Sequence, residues 1–312
     1  MTTQPTYPVL AGSMTALSTP FSNGAIDRLA FTRLCERQID RGTTALIVCG
    51  STGEAASLQI EEQVALIDIA VGVAARRVPV IAGCGGPSTE AAGLMAGLAA
   101  KSGADALLCA PTPYVKPTQD GIVAHIRTLA HVSDLPVILY DVPSRTGVAI
   151  KDETIARLFE RGLAIGVKDA TADLGRPPRL QALCGPGLIQ LSGDDATAGA
   201  YRAAGGHGCI SVTANLTPSL CSLLHRSWDC GDLVSFARIR DLLAPLHDTL
   251  FLESNPIPLK AALAMLNLAH GDVRLPLTRA TEPTRERLAD LLTQIMGLEE
   301  SVAAQHDYAL AS

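Results

Sequence analysis

Leu163-Ala-Ile-Gly-Val-Lys168-Asp169 is an apolar run that ends on an amine. Its length and composition fit a short buried strand that carries Lys168 to its C-terminal tip. Burial disfavours an ammonium ion, so a lysine is a costly residue at such a place. The cost has a purpose if the side chain is to attack a ketone as a neutral amine and form a Schiff base. The plainer alternative is a lysine that pairs with Asp169 or extends its head to solvent.

Working outward, seven further runs read as strands: 9–17, 45–49, 78–83, 105–110, 136–141, 188–192 and 208–212, with 164–169 as the sixth in order. Amphipathic stretches such as 61–75, 89–101, 120–131 and 152–161 lie between them and read as helices. Eight strands, each followed by a helical segment, predict an α/β fold, the (β/α)8 barrel. A doubly wound sheet shares the alternation, but no G-x-G-x-x-G turn follows the first strand. From about Asp229 the strand signal stops, and 233–250, 258–268 and 284–305 carry helical patterns. The expectation is a barrel over residues 1–228 that holds the active site, with a helical region over 229–312 packed on it.

The bulk composition narrows the function classes. Of 312 residues, 47% are hydrophobic and only 18% charged, with a mean hydropathy of +0.25. That suits buried parallel strands rather than a disordered or coiled-coil chain. A net charge of −6 and the absence of any basic block argue against nucleic acid as a partner. The start, Met1-Thr-Thr-Gln-Pro-Thr-Tyr-Pro8, has no basic or apolar stretch of a signal peptide, and no run is long enough to cross a bilayer. None of the eight cysteines forms a C-x-x-C pair; Cys49, Cys84, Cys109 and Cys209 lie in or beside strands and read as buried thiols of a cytoplasmic protein. No His, Cys or carboxylate spacing points to a metal, and no cofactor is called for.

Active sites of such barrels form at the C-terminal ends of the strands. After the second strand comes Gly50-Ser51-Thr52-Gly53-Glu54. Its glycines allow close backbone approach and its N–H groups suit a carboxylate, although a Gly-rich loop with a hydroxyl N-cap would look the same. The fourth strand leads into Pro111-Thr-Pro113-Tyr114-Val-Lys-Pro117, and the fifth ends Tyr140-Asp141-Val-Pro143-Ser144-Arg145-Thr-Gly147. Tyrosines on a rim are also packing residues, and an arginine in a turn is also a solvated charge. The seventh strand ends Leu191-Ser192-Gly193-Asp194-Asp195, and His207 among glycines before the eighth reads as a loop residue. An amine, hydroxyls, an anion-binding loop and a guanidinium together suit carbon–carbon bond chemistry on a keto acid.

These segments, together with 166–170, 206–215 and Glu253-Ser-Asn-Pro-Ile-Pro-Leu-Lys260, resemble those of the dihydrodipicolinate synthase/N-acetylneuraminate lyase family. The resemblance runs in order from about Gly12 to about Pro276. Tyr140-Asp-Val-Pro-Ser-Arg145 and the 253–258 segment are similar to the synthase branch, which condenses pyruvate with aspartate semialdehyde on the route to lysine. The resemblance implies that Lys168 forms the Schiff base with pyruvate and that Tyr140 positions it and moves protons. It implies a hydroxyl relay of Ser51, Tyr114 and Tyr140, with Tyr114 reaching in from a neighbouring subunit. It implies further that the Ser51 and Thr52 N–H groups hold the pyruvate carboxylate, that Arg145 holds the carboxylate of the aldehyde, and that Gly193 and Ile210 line the pocket. A homo-oligomer, a tetramer built as a dimer of dimers, is the implied assembly.

The chain departs from that pattern in three ways. Ser51 stands where the synthase branch has a threonine, and Asp141 where it has an asparagine. The positions that bind lysine in feedback-inhibited relatives fall at Ala55, Ile60, Gln63, Pro87, Ala91 and Pro113, none of them the expected polar or aromatic group. Insensitivity to lysine is therefore expected. Two rival readings stay open: a pyruvate-dependent aldolase acting on a sugar acid or aromatic aldehyde adduct, and a non-catalytic barrel that binds a keto acid.

Overall fold

The structure, a computed structural model, describes the backbone of residues 10–311 and the side chains of residues 10–305. Val9, the expected first residue of the first strand, and the segment Met1–Pro8 lie outside the described residues. Eight parallel strands close a barrel: β1 (Gly12–Ala16), β2 (Leu46–Val48), β3 (Val80–Gly83), β4 (Ala106–Cys109), β5 (Val137–Asp141), β6 (Gly166–Asp169), β7 (Ile189–Ser192) and β8 (Gly208–Ser211). Each pairs with its neighbours in chain order, and β8 closes on β1. Every strand falls inside a run read from the sequence, and each is shorter than its run because the apolar character extends past the last ladder hydrogen bond.

The helices alternate with these strands: α1 (Arg28–Asp40), α2 (Ile60–Ala74), α3 (Thr89–Lys101), α4 (Gln119–Ser133), the single turn α5 (Pro143–Thr146), α6 (Asp152–Glu160), α7 (Arg176–Cys184), α8 (Asp195–Ala203) and α9 (Pro218–Asp229). Side chains that accept backbone N–H groups fix several starts: Asp27 for α1, Ser88 for α3 and Thr118 for α4. A ribbon of Phe21–Ser22 against Ala25–Ile26 sits between β1 and α1. Its strands are too short to show an alternation in the sequence.

Strand alternation divides the core in two. Met14, Ile47, Ile81, Leu108, Ile138, Leu191 and Ile210 fill the barrel interior, while Leu46, Val48, Leu107, Leu139 and Val167 face the helices around it. A third cluster joins α9 to α10 (Leu233–Leu250), α11 (Ile257–Met265) and α12 (Glu282–Ala311) through Leu220, Leu224, Leu243, Leu259, Leu263 and Leu292. Glu299 of α12, fully buried, accepts the Ser219 and Leu220 N–H groups at 3.0 and 2.9 Å. A carboxylate at that place meets both the free N–H groups and the positive end of α9. The C-terminal helices are thereby fastened to the last helix of the barrel ring.

Candidate active site

Lys168 is the third residue of β6 and points into the barrel, directly across the ladder from Tyr140 of β5. It is 6% exposed, and its Nζ lies 4.3 Å from the centroid of the Tyr140 ring. Among the described residues it makes no ion pair. Asp169 cannot neutralise it, because the next residue of a strand faces the other way. The Asp169 carboxylate instead accepts the Thr171 N–H and hydroxyl at 2.9 and 2.6 Å, outside the barrel. Gly193, past the end of β7, packs so closely on the lysine that a Cβ there would sit 3.0 Å from Lys168 Cε. Ile210 of β8 closes the same interior cluster.

The loop after β2 is held from several sides. The Gly53 and Glu54 N–H groups donate to Gly50 and Ser51 carbonyls at 3.1 Å each. Those of Ser51 and Thr52 make no hydrogen bond among the described residues and so are free for an acceptor. Thr52 is buried, and its Oγ1 accepts from Asn255 Nδ2 at 3.0 Å. Glu54 adopts a left-handed backbone with φ of 53° and sends its carboxylate into the protein, where it meets Lys260 Nζ and, at 3.0 Å, the Arg274 N–H. Gln63, one of the expected effector positions, spends its amide on the Ala55 and Leu58 carbonyls of the same loop.

Arg145 stands exposed on α5, with Nη2 donating to the Asn255 carbonyl at 3.2 Å. Asn255 therefore touches both Thr52 and Arg145, and its Oδ1 has no partner. Tyr114 is not gathered in. It is 96% exposed, on a left-handed backbone with φ of 72°, and its hydroxyl makes no hydrogen bond among the described residues. The fold thus brings Lys168, Tyr140, Gly193 and Ile210 together, links Thr52 to Arg145 through Asn255, and leaves Tyr114 projecting into solvent.

Asp141, the departure at the end of β5, is fully buried and faces outward beside Asp169. Its Oδ1 accepts the Ile150 N–H at 3.1 Å and its Oδ2 meets Arg176 Nη1 at 2.6 Å. Burial, the larger influence, pushes the Asp141 carboxyl up, and Arg176 pulls it back. Burial also works against the Arg176 charge, but Asp169 and Asp141 outweigh it and hold the guanidinium above its ordinary range. Sequence reasoning missed Arg176, Asn255 and Lys260 as partners of the site. The last two lie in the quoted 253–260 segment, while nothing in Gly175-Arg176-Pro-Pro marks a buried arginine.

His207 proves a loop residue whose Nδ1 accepts the Gln190 N–H at 3.0 Å. Cys49, Cys84, Cys109 and Cys209 are free, buried thiols. Among the described residues no cluster of His, Cys, Asp or Glu is placed to hold a metal ion, and no helix is long and apolar enough to cross a membrane.

Residues 9–295 match the dihydrodipicolinate synthetase family. The chain is 47% identical over 275 residues to the 4-hydroxy-tetrahydrodipicolinate synthase of Rhodospirillum centenum, covering 88% of this chain and 94% of that one. The fold superposes on the chloride-inhibited dihydrodipicolinate synthase of Acinetobacter baumannii, complexed with pyruvate, with a TM-score of 0.88, 39% identity and coverage of 91% and 98%. It superposes on the 4-hydroxy-tetrahydrodipicolinate synthase of Methylacidiphilum fumariolicum with a TM-score of 0.90, 33% identity and coverage of 96% and 99%.

Proposed function

The chain belongs to the dihydrodipicolinate synthetase family of lyases, and on that premise we propose that it condenses pyruvate with aspartate semialdehyde through a Schiff base on Lys168. The observation that carries this reading is the inward-facing, unpaired Lys168 with its Nζ 4.3 Å from the Tyr140 ring.

The amine adds to the pyruvate ketone, the carbinolamine loses water, and the iminium serves as an electron sink. Loss of a methyl proton gives the enamine, which attacks the aldehyde carbon. Ring closure by the substrate's own amine then releases Lys168. Tyr140 positions the keto acid and hands on protons, in a relay completed by Ser51 and by Tyr114 of a second copy of this chain. The free Ser51 and Thr52 N–H groups hold the pyruvate carboxylate, and Arg145 holds that of the semialdehyde through its planar fork. Gly193 and Ile210 shape the pocket around the bound imine. Alignment of two reactants beside one amine contributes much of the acceleration.

In this reading residues 1–228 carry the chemistry and 229–312 brace it. The assembly is at least a dimer, because the 96% exposed Tyr114 has no role within its own chain, and a dimer of dimers is expected. Lysine does not inhibit: Ala55, Ile60, Pro87, Ala91 and Pro113 offer its amines no acidic side chain, and Gln63 is spent within its loop. Clear inhibition at low millimolar lysine would sink that claim.

The test is condensation of pyruvate with aspartate semialdehyde, coupled to a reductase that consumes the product, alongside borohydride trapping of pyruvate on Lys168. Turnover of roughly 1–10³ per second is expected. Trapping without turnover moves the aldehyde partner elsewhere; absence of both overturns the reading.

A further inference from the structure

We propose that Arg176 is a positioning residue for imine formation: from outside the barrel it fastens together the two strand ends that carry Tyr140 and Lys168. The inference rests on the reading that Lys168 forms the imine with pyruvate.

Tyr140 pairs with Lys168 across the β5–β6 ladder, and the next pair is Asp141 with Asp169, where the ladder ends. The first pair faces the interior and the second faces the helices, so the two carboxylates lie immediately behind the two reacting side chains. Beyond them the strands separate: one chain turns into α5 and the other into the loop before α7. A single backbone bond, Ala170 N–H to the Asp141 carbonyl at 2.9 Å, continues the pairing. Something else must then set the spacing of the two strand ends.

Arg176, the first residue of α7, is 3% exposed and occupies that place. Its Nη1 meets Asp141 Oδ2 at 2.6 Å and Asp169 Oδ1 at 3.4 Å, its Nε meets Asp152 Oδ1 at 2.8 Å, and its Nη2 donates to the Ile150 carbonyl. One planar cation thus joins β5, β6, the loop before α6 and the first residue of α6. The rigid fork is what lets four acceptors be met at once; a lysine ammonium in the same space could not span them. Asp169 passes the constraint onward, because its carbonyl accepts the Gly193 N–H at 2.6 Å and Gly193 packs on Lys168.

The arrangement also accounts for the aspartate at 141. A neutral asparagine there would still accept the Ile150 N–H, but only a carboxylate makes the tie to Arg176 ionic. Removal of the guanidinium leaves Asp141 and Asp169 as buried, uncompensated charges one residue from Tyr140 and Lys168.

The test mixes the full-length enzyme with pyruvate, quenches with borohydride at timed intervals, and follows the mass gained at Lys168. Wild type, Arg176→Met, Arg176→Lys and the double variant Arg176→Met/Asp141→Asn are compared, with folding checked by circular dichroism. In Arg176→Met the limiting rate of imine formation falls by about tenfold or more, as displacement of a reacting group demands. The half-saturating pyruvate concentration changes by less than about twofold, because the Ser51 and Thr52 N–H groups that hold its carboxylate lie on another strand end. The double variant recovers part of the lost rate. Should Arg176→Met fail to fold, Arg176→Lys decides: a slowed limiting rate at unchanged half-saturation supports the inference, and a wild-type rate overturns it. A folded Arg176→Met that labels at the wild-type rate, or whose loss is not eased by Asp141→Asn, overturns it alone. Wild type that never labels at Lys168 overturns the Schiff-base reading, and this inference with it.

Discussion

Lys260 and Glu54 form an ion pair with side chains 1% and 2% exposed, 206 positions apart in the chain. It ties α11 to the loop that carries Ser51 and Thr52. Burial pushes the ammonium down to about 8, against the pull of Glu54, and the Phe21 ring lies 3.9 Å from Nζ. Lys260→Met strands a buried carboxylate, so it should lower unfolding stability by about 3–5 kcal/mol. Lys260→Met/Glu54→Gln should regain much of that, and urea denaturation of the single and double variants provides the comparison. Equal stability of the two would show that the pair is not what holds the loop.

Tyr140→Phe removes a hydroxyl and keeps the ring that packs on Lys168. The variant should unfold at the wild-type urea concentration yet lose about 10²–10⁴-fold in turnover, the usual contribution of a positioned proton-transfer group. A loss of under threefold would remove Tyr140 from the proton relay.

How far the sequence disclosed this site follows from the range of the interactions involved. β6 was legible because Ile165, Gly166 and Val167 are apolar in succession and Lys168 interrupts them. The ribbon at Phe21 was not, since two-residue strands leave no period. Within the site, Lys168 and Tyr140 stand at strand tips, where position alone makes a polar side chain informative. Arg176, Asn255 and Lys260 act through partners 35, 203 and 206 positions away, and no local pattern encodes such a meeting. Asp141 had no explanation as a lone charge; its meaning appears only with Arg176 beside it.

Acid should destabilise the fold through its buried histidines. His225 is 4% exposed, its Nδ1 has no partner, and burial with the nearby Arg202 charge lowers it from 6.5 to about 4. Between those values the unfolded chain binds a proton that the folded chain does not, so stability is full above about pH 6.5 and falls as pH drops toward 4. The loss from this group is at most about 3 kcal/mol. His125, His207 and His247 are lowered in the same direction, mainly by burial, and add to it. His225→Gln should flatten the slope of unfolding free energy between pH 7 and pH 4.5. An unaltered slope would assign the acid sensitivity to other groups.

Gly193→Ala probes how tightly Lys168 is held. The added methyl would meet Lys168 Cε and Ala170 Cβ at 3.0 Å and Lys168 Cγ at 3.1 Å. No positive φ is present at Gly193, so an alanine there carries no backbone penalty. The backbone is also anchored, since the Gly193 N–H donates to the Asp169 carbonyl at 2.6 Å. The side chain of Lys168 is therefore the part that must yield, and it can do so only by moving across the Tyr140 ring. A shift of a few tenths of an ångström there disturbs the approach of Nζ to a ketone while disturbing little else. Borohydride trapping of pyruvate should slow by roughly 10–100-fold, with the urea midpoint nearly unchanged because overpacking against one flexible side chain costs about 1 kcal/mol. Wild-type trapping would mean that the lysine has room to spare and that Gly193 is there for another reason.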